Sequence, residues 1–574
     1  MIEPFDCTVE YLWKKILSDH QQDHAVYENE RFYTYKELDD RSWAVADEIL
    51  RLKDSVRIGV MLDSSYDYVC AVLGVLKAGK SFVPMDRDWP DDRLDNIIKK
   101  AEIKTLISSD FYDDTLTVIN MDKITHNGFA SDQKHEWKDA DEAYVLHSSG
   151  TTGEPKGIII KRNSLVNLSL WFGKIFLTED INNILQLAKT TFDVSIEEIF
   201  GTILNGRTLF IPPHIVRKHK IKLRQFVEEK DINLIEVVPA TLTEFFDREE
   251  KIKCLRTIIC GADVLREELK NSIIELGYDL YNNYGPTETT VDAMYHKCCL
   301  TQPVQLGECV DGCEIAILTE DGELATDDCE GELLIAGVNL TPGYLKNDEL
   351  NEQKFLYSPS GKRYYMTGDL VKTDDQGRVF FKGRSDHQVK IRGQRIEIEE
   401  IEKAFADEMK ISLCAAVCIK EKAEKIVLFY ESDEAIDHDR MINGMRKKLP
   451  EYMLPSDYQW LERLPKTENG KVDRNALSDY LKEIPQEIPK ANLQEFDEDT
   501  VKLIKMIEEA TGESSVDINE TVELVGFDSL SYVRFLVEVE CMWDVELGDE
   551  LLVPDENETV ETLIKKIKDI IAGV

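Results

Sequence analysis

"HSSGTTGEPKG", His147–Gly157, is the stretch whose reading decides the fold. It follows the strand-like "AYVL" and precedes the strand-like "IIIK", so it reads as a loop between two extended segments. Its glycines permit close approach and left-handed turns. Its small hydroxyl residues leave backbone N–H groups and hydroxyls uncovered, and Lys156 adds a positive charge. A loop of that make-up can wrap a polyphosphate. Taken alone, a Ser/Thr/Gly loop is more often a flexible turn, so its company along the chain has to decide.

Outward from the loop, apolar strands alternate with helix-like stretches from about residue 1 to 385. Examples are "VRIGVML", "KSFVPMD", "NLIEVVPA", "LRTIICG" and "GELLIAG". That alternation predicts large α/β layers. "FFKGRSDHQVKIRGQRIEIEEIEKAF" then reads as a strand, a turn, a strand and a helix, opening a small α+β unit over 386–482. Residues 483–496, with Pro485 and Pro489, read as a linker. The remainder, 497–574, is acidic and helix-patterned and predicts an all-α unit. There is no internal repeat.

A second phosphate-loop pattern, "GVLKAGKS" (Gly74–Ser81), is rejected. A P-loop needs a strand before it and a helix after it, so that helix N–H groups face the phosphates. Here "YDYVCAVLGVLKAG" has helical spacing and "SFVPMD" follows as a strand, which makes Gly79 a helix C-terminal glycine.

Composition narrows the partners. Against 69 Lys and Arg stand 111 Asp and Glu, a net charge of −42, which repels nucleic acid and anionic membrane surfaces. No apolar run is long enough to span a bilayer. "MIEPFDCTVEYLWKK" lacks the basic-then-apolar layout of a signal peptide. The twelve cysteines are scattered, and neither Cys309/Cys313 nor Cys414/Cys418 has a nearby Cys or His to complete a zinc set. Reduced thiols in a cytoplasmic protein, working as a monomer, are the expectation.

The loop does not stand alone. In order along the chain come "YTYKEL" (33–38), "LKAGKSFVPMD" (76–86), "HSSGTTGEPKG" (147–157) and "FDVSIEEIF" (192–200). "NNYGPTETT" (282–290), "YMTGDL" (365–370) and "FKGRSDHQVKIRGQRIEIEEIE" (381–402) follow, and "LPEYMLP" (449–455) and "PKTENGKVDR" (465–474) close the set. The ordered set resembles the adenylate-forming ligase superfamily, and within it the adenylation domains of nonribosomal peptide synthetases. The resemblance implies that a carboxylate attacks the α-phosphate of ATP, releasing pyrophosphate, and that a thiol then displaces AMP.

By motif position, the resemblance assigns Ser148, Ser149, Gly150, Thr151, Thr152, Gly153 and Lys156 to the triphosphate. Asn283, Tyr284, Gly285 and Thr287 go to the AMP moiety, with Tyr284 stacked on adenine. Glu288 holds Mg²⁺, and Asp369, with Arg384 nearby, takes the ribose hydroxyls. Lys471 contacts carboxylate and phosphate oxygens, and stands with Lys156 and Glu288 as catalytic. Asp386 is the hinge. A placed ammonium and Mg²⁺ make physical sense where charge builds on phosphate oxygens. Departures from the pattern are His147-Ser148 for Tyr-Thr, Met366 for an Arg, and Thr341-Pro342 for a small residue and an Arg. They put the missing arginine's contacts in doubt more than the activity.

The same resemblance maps the amino-acid pocket to Asp193, Val194, Glu197, Glu236, Ile258, Cys260, Asn283, Val291 and Asp292. Asp193 matches the aspartate that pairs with a substrate α-ammonium. Three further acids then share one pocket, and buried carboxylates are costly unless paired. A cationic side chain would pair them, at about 1.5–3 kcal/mol for each charge-assisted bond. The prediction is a basic amino acid, ornithine or lysine ahead of arginine or diaminobutyrate. The alternative is that some of the acids point away or stay protonated.

Near the C-terminal end, "GFDSL" sets Asp528 as a cap for a helix beginning at Ser529, with Leu530, Val533 and Val537 spaced to face one core. The unit resembles a peptidyl carrier domain, which implies an all-α bundle of four helices, with 4′-phosphopantetheine attached by the family at that serine. The implied partners are a phosphopantetheinyl transferase and a downstream condensation, transfer or tailoring enzyme acting in trans. The runner-up reading is an acyl-CoA or aryl-acid-activating ligase, against which Asp193 argues. A non-catalytic carrier scaffold is opposed by the retained Lys471 and Glu288.

Overall fold

The structure is a computed structural model. It describes residues 7–52, 55–109, 115–124, 137–138, 140–150, 155–217, 220–246, 251–386, 388–391, 393–419, 425–432, 434–466, 472–483, 497–511, 529–543 and 559–571, with isolated positions between 516 and 551. Packing divides the chain into two units. The first comprises Met1–Pro213, Ile221–Met409 and Asp439–Leu454, the second His214–Lys220, Lys410–His438 and Pro455–Val574. One segment of the first unit ends at Met409. Residues 388–409 stay with the first unit because Arg395, Glu397 and Glu400 are bound there by residues far earlier in the chain.

Three sheets build the first unit. One mixed sheet of nine strands carries a parallel run that includes Leu234–Val237, Thr257–Cys260 and Asp279–Tyr284. A second sheet of six sets Arg57–Met61 parallel to Ser81–Pro84, and ends in the antiparallel pair Glu142–Ser148 and Lys156–Lys161. The third contains Glu330–Gly337, Arg363–Thr373 and Val379–Arg384. The helix Tyr66–Lys77 is buried at every position except Asp67 and joins residues of the first two sheets in one apolar core. An all-round apolar helix belongs in such a place.

Local chemistry explains several motifs. In "YTYKEL", Thr34 and Glu37 form a reciprocal capping box at the start of the helix Tyr35–Leu50. In "GVLKAGKS", Gly74 lets this helix and Tyr66–Lys77 meet closely, since a Cβ there would lie 2.7 Å from Ser42 O and Val45 Cβ. Gly79 takes φ +69° just past the helix end, and the strand Ser81–Pro84 comes after it. Lys77, fully buried, donates to Asp39 and Ser42 inside a cage of Trp13, Trp43 and Trp137. No phosphate site is formed there.

One expected element count changes. After Val379–Arg384, the stretch expected as a single strand folds back on itself as the hairpin Val389–Ile391 and Gln394–Ile396, ahead of the helix Ile398–Met409.

The second unit holds a three-stranded sheet of Cys414–Ile419, Lys425–Glu431 and Asp457–Leu461, with the helix Arg474–Glu483 sharing its core through Leu477. It also holds the helices Glu498–Thr511, Ser529–Trp543 and Val560–Ile571 around a core of their own. Among the described residues these are three helices, against the four expected. The middle one begins at Ser529, while its expected cap Asp528 lies outside the described residues. Tyr532, Phe535, Leu536 and Val539 form its core stripe. Val537 is buried outside that cluster, and the side chains of Leu530 and Val533 are outside the described set. The stripe is thus set by the aromatics, which carry the larger apolar area.

Candidate active site

The strand pair Glu142–Ser148 and Lys156–Lys161 brings Ser148 opposite Lys156 and His147 opposite Gly157. Ser149 and Gly150 continue from it; Thr151, Thr152 and Gly153 lie outside the described residues. Lys156 is buried, and its Nζ donates to Glu397 Oε1 at 3.1 Å and lies 3.8 Å from Glu288 Oε1. Burial and the Arg395 charge lower its pKa, while Glu288 and Glu397 pull the other way.

Glu288 sits on the short turn Thr287–Thr289 with no solvent exposure. Tyr344 Oη donates to its Oε1 at 2.7 Å, and Arg395 Nη1 to its Oε2 at 2.8 Å. Burial works against its charge, yet Arg395, Lys156 and the Tyr344 hydroxyl hold the carboxyl at about 2. It is therefore an ionised, buried oxygen donor that already attracts cations, beside a glycine-rich loop. Those properties fit Mg²⁺, which binds through one or two carboxylates together with substrate phosphates.

At the other end of the cleft, Asp369 accepts from Tyr284 Oη at 2.5 Å and from Arg384 Nη1 at 2.7 Å. Arg384 also grips Asp386 through two bonds of 2.7 and 2.8 Å. One cleft is lined by Ser148, Ser149, Asp193, Tyr284, Gly285, Thr287, Asp369 and Arg384. These predicted residues, drawn from all three sheets and their loops, are thus brought together. Lys471 lies outside the described residues.

Asp193 lines the same cleft. Its Oδ1 accepts from Val194 N at 3.0 Å and its Oδ2 from the Thr287 hydroxyl. Desolvation raises its carboxyl. Beyond it, Glu197, Glu236 and Asp292 are buried, each with an oxygen within 4.8 Å of the others'. Among the described residues no N–H or hydroxyl donates to either oxygen of Glu197 or to Oε2 of Glu236; Glu197 instead meets the Asp292 carboxyl side chain to side chain. Asn283 Nδ2 donates to Asp292. Burial and the charges of Asp292 and Glu236 push Glu197 well above the carboxylate range; burial with Asp292 and Glu198 does the same to Glu236. Burial and Asp193 bring Asp292 up to about 7, against the Asn283 amide.

Neighbouring acids have different fates here. Residues Glu197–Gly201 form a π turn. Glu198 is satisfied by Leu187 N, Ala188 N and Gln186 Nε2, so it is a structural carboxylate. Glu197 is left facing the other two acids. The backbone also carries strain beside the cluster, since Thr290 and Val291 have φ of 59° and 65°. A β-branched residue adopts that region only where its surroundings enforce it.

Two predicted pocket residues, Ile258 and Cys260, take the other face of their strand, and burial with nearby charges, Glu236 among them, raises the Cys260 thiol. The parallel register pairs Glu236 with Ile259 and Val237 with Cys260. Successive side chains alternate between faces, so Ile259 shares the face of Glu236, and Ile258 and Cys260 are buried on the other. Ile259 accordingly packs in the cluster that holds Val291 and, at its edge, Val194. Sequence reading also missed Arg395, Glu397, Glu400, Arg93 and Tyr344 as parts of the site. The first three lie within a quoted motif but carry no local signal of their partners.

The AMP-binding enzyme family matches residues 14–345, more than half of the chain. Surfactin synthase subunit 2 of Bacillus subtilis (strain 168) is 30% identical over 98% of this chain, which spans only 16% of that protein's length. Zwittermicin A synthase ZmaJ of Bacillus cereus is 30% identical over 79% of this chain and 91% of its own. The solved structure of holo-PA1221, described as an NRPS protein containing adenylation and PCP domains bound to a vinylsulfonamide inhibitor, superposes with a TM-score of 0.80. It is 22% identical and covers 98% of this chain and 97% of its own. Among the described residues no helix is long and apolar enough to cross a membrane. With several of the ordered motifs lining one cleft, the chain belongs to the AMP-binding enzyme family, as an adenylate-forming ligase of the nonribosomal peptide synthetase adenylation kind.

Proposed function

We propose that this chain activates an amino acid with a cationic side chain, ornithine or lysine first, as its aminoacyl adenylate, and passes it to a carrier thiol. The observation that carries the proposal is the buried cluster of Glu197, Glu236 and Asp292, whose oxygens in part receive no N–H or hydroxyl among the described residues and are crowded together. Such a cluster is poorly stabilised when empty and well matched to a side-chain ammonium. Asp193, one step nearer the cleft, then takes the α-ammonium and aims the carboxylate at the nucleotide. A substrate lacking an amino group has no use for it, which disfavours an acyl-CoA or aryl-acid ligase.

Chemically, a carboxylate oxygen attacks the α-phosphorus and pyrophosphate departs. Lys156 stabilises charge on the phosphate oxygens, and Tyr284, Asp369 and Arg384 hold the nucleoside end. Mg²⁺ held by Glu288 would neutralise phosphate charge. Lys471 is proposed to meet the reacting oxygens, and Asp386 to serve as hinge.

The last three helices are read as the carrier, with Ser529 at a helix N-terminus that favours an attached phosphodiester. A 4′-phosphopantetheine arm there would supply the accepting thiol. It requires a transferase to attach it and a downstream enzyme to take the product, in nonribosomal peptide or related biosynthesis.

Amino-acid-dependent pyrophosphate exchange across a panel tests the reading. Signal with ornithine or lysine above neutral isosteres is expected. Exchange with neutral amino acids only would sink the basic pocket, while no exchange with any amino acid would sink adenylation itself.

A further inference from the structure

The phosphate loop already holds two anions in this structure, and both come from the chain itself. Glu400 Oε2 accepts from Gly150 N at 2.8 Å, and Glu400 Oε1 from Arg93 Nη1 at 2.9 Å. Glu397 Oε1 accepts from Lys156 Nζ at 3.1 Å, while Glu397 N donates to Ser149 Oγ at 3.2 Å. Arg395 completes the set as the cation on Glu288. A carboxylate that bridges a glycine-rich loop N–H and a guanidinium stands where a phosphate oxygen would be held.

Arg93 is the unexplained member. It belongs to the helix Asp91–Lys100, is 3% exposed, and lies with its guanidinium 5.3 Å from the centre of the Trp89 ring. Its Nε and Nη2 have no partner among the described residues. Both ring nitrogens of His147 and the Ser148 hydroxyl are likewise without partners. Buried donors left unused are costly. The Glu400 carboxylate leaves two Arg93 donors unused, and a phosphate group has oxygens enough to meet them.

We propose that Arg93 is a polyphosphate-binding residue of this cleft, and that Glu400 and Glu397 hold the places of phosphate oxygens until a nucleotide displaces them. The proposal rests on the reading that the cleft binds ATP. Nucleotide entry is then an exchange in which the loop trades internal carboxylates for phosphates, and Arg93 gains bonds that Glu400 alone does not satisfy. Removing the Glu400 charge lowers the competition; removing Arg93 as well takes away the anion's partner.

The full-length chain is compared as wild type, Glu400→Gln and the double variant Arg93→Gln/Glu400→Gln, which leaves no buried charge unpaired at this place. Calorimetric titration with ATP and with AMP, both free of metal, is the readout, and melting temperatures check the fold. Glu400→Gln is expected to bind ATP several-fold tighter than wild type. The double variant is expected to bind it roughly tenfold more weakly than Glu400→Gln, with AMP affinity nearly unchanged. Equal ATP affinity in the single and double variants makes Arg93 a structural clamp and overturns this proposal alone. A folded wild type that binds neither nucleotide overturns the ATP reading with it.

Discussion

Asp292 is the residue whose protonation decides how the pocket greets a cation. Burial first and then the Asp193 charge raise its carboxyl to about 7, against hydrogen bonds with Asn283 and Glu197 that lower it. Below that value it carries a proton and offers no charge; above it, it is ionised and attracts an ammonium. The KM for ornithine or lysine in pyrophosphate exchange should therefore fall as pH rises from about 6 to 8, and Asp292→Asn should flatten the profile. A wild-type KM that is level across this range would remove Asp292 from side-chain recognition. On the proposed function Asp193 takes the α-ammonium of every substrate, so Asp193→Ala should lower kcat/KM about 100-fold for each one accepted. A loss confined to basic substrates would reassign it.

Elements show where sequence patterns speak clearly and where they do not. "GVLKAGKS" was separable from a nucleotide loop because helix comes before glycine and strand after it. The structure supplies the reason for Gly74, which is helix–helix approach. Gly74→Val should cost about 1–3 kcal/mol of stability by overpacking while ATP affinity of the folded protein stays put; a selective loss of ATP binding would contradict this. Lys77→Met should cost about 3 kcal/mol, toward the low end for a broken buried pair, because the Asp39 side chain keeps 16% exposure. Denaturant unfolding reads both. By contrast, "TIIC" gave no sign of which residues face the pocket. A strand buried on both faces is apolar throughout, so the alternation that would separate Ile258 from Ile259 is missing. The pairing of Arg395 with Glu288 was equally hidden, as 107 positions separate them and nothing local marks either as a partner. The residues read correctly into the cleft came from short polar motifs, where spacing and chemistry are visible together.

At the scale of the whole molecule, a net charge of −42 is a standing repulsion. Moderate salt screens it, so raising NaCl from low to about 0.3 M should lift the melting temperature by about 2–4 °C. Scanning calorimetry in which salt lowers it would show that ion pairs outweigh the repulsion. The motifs also made the α/β layers legible, but the placement of residues 388–409 with the first unit was not, because the ties that hold them there are long-range ion pairs.

The π turn at Glu197–Gly201 has a consequence for how such a pocket can change. A π turn accommodates one more residue than an α-helical turn, and each residue advances a helix by about 100°. Deleting one residue here would return the turn to α-helical spacing, and Glu198 or an apolar neighbour would stand where Glu197 does, while Glu236 and Asp292 stay on their own segments. On the proposed reading of the pocket, substrate choice is then partly a matter of helical phase, open to alteration by a single codon gained or lost.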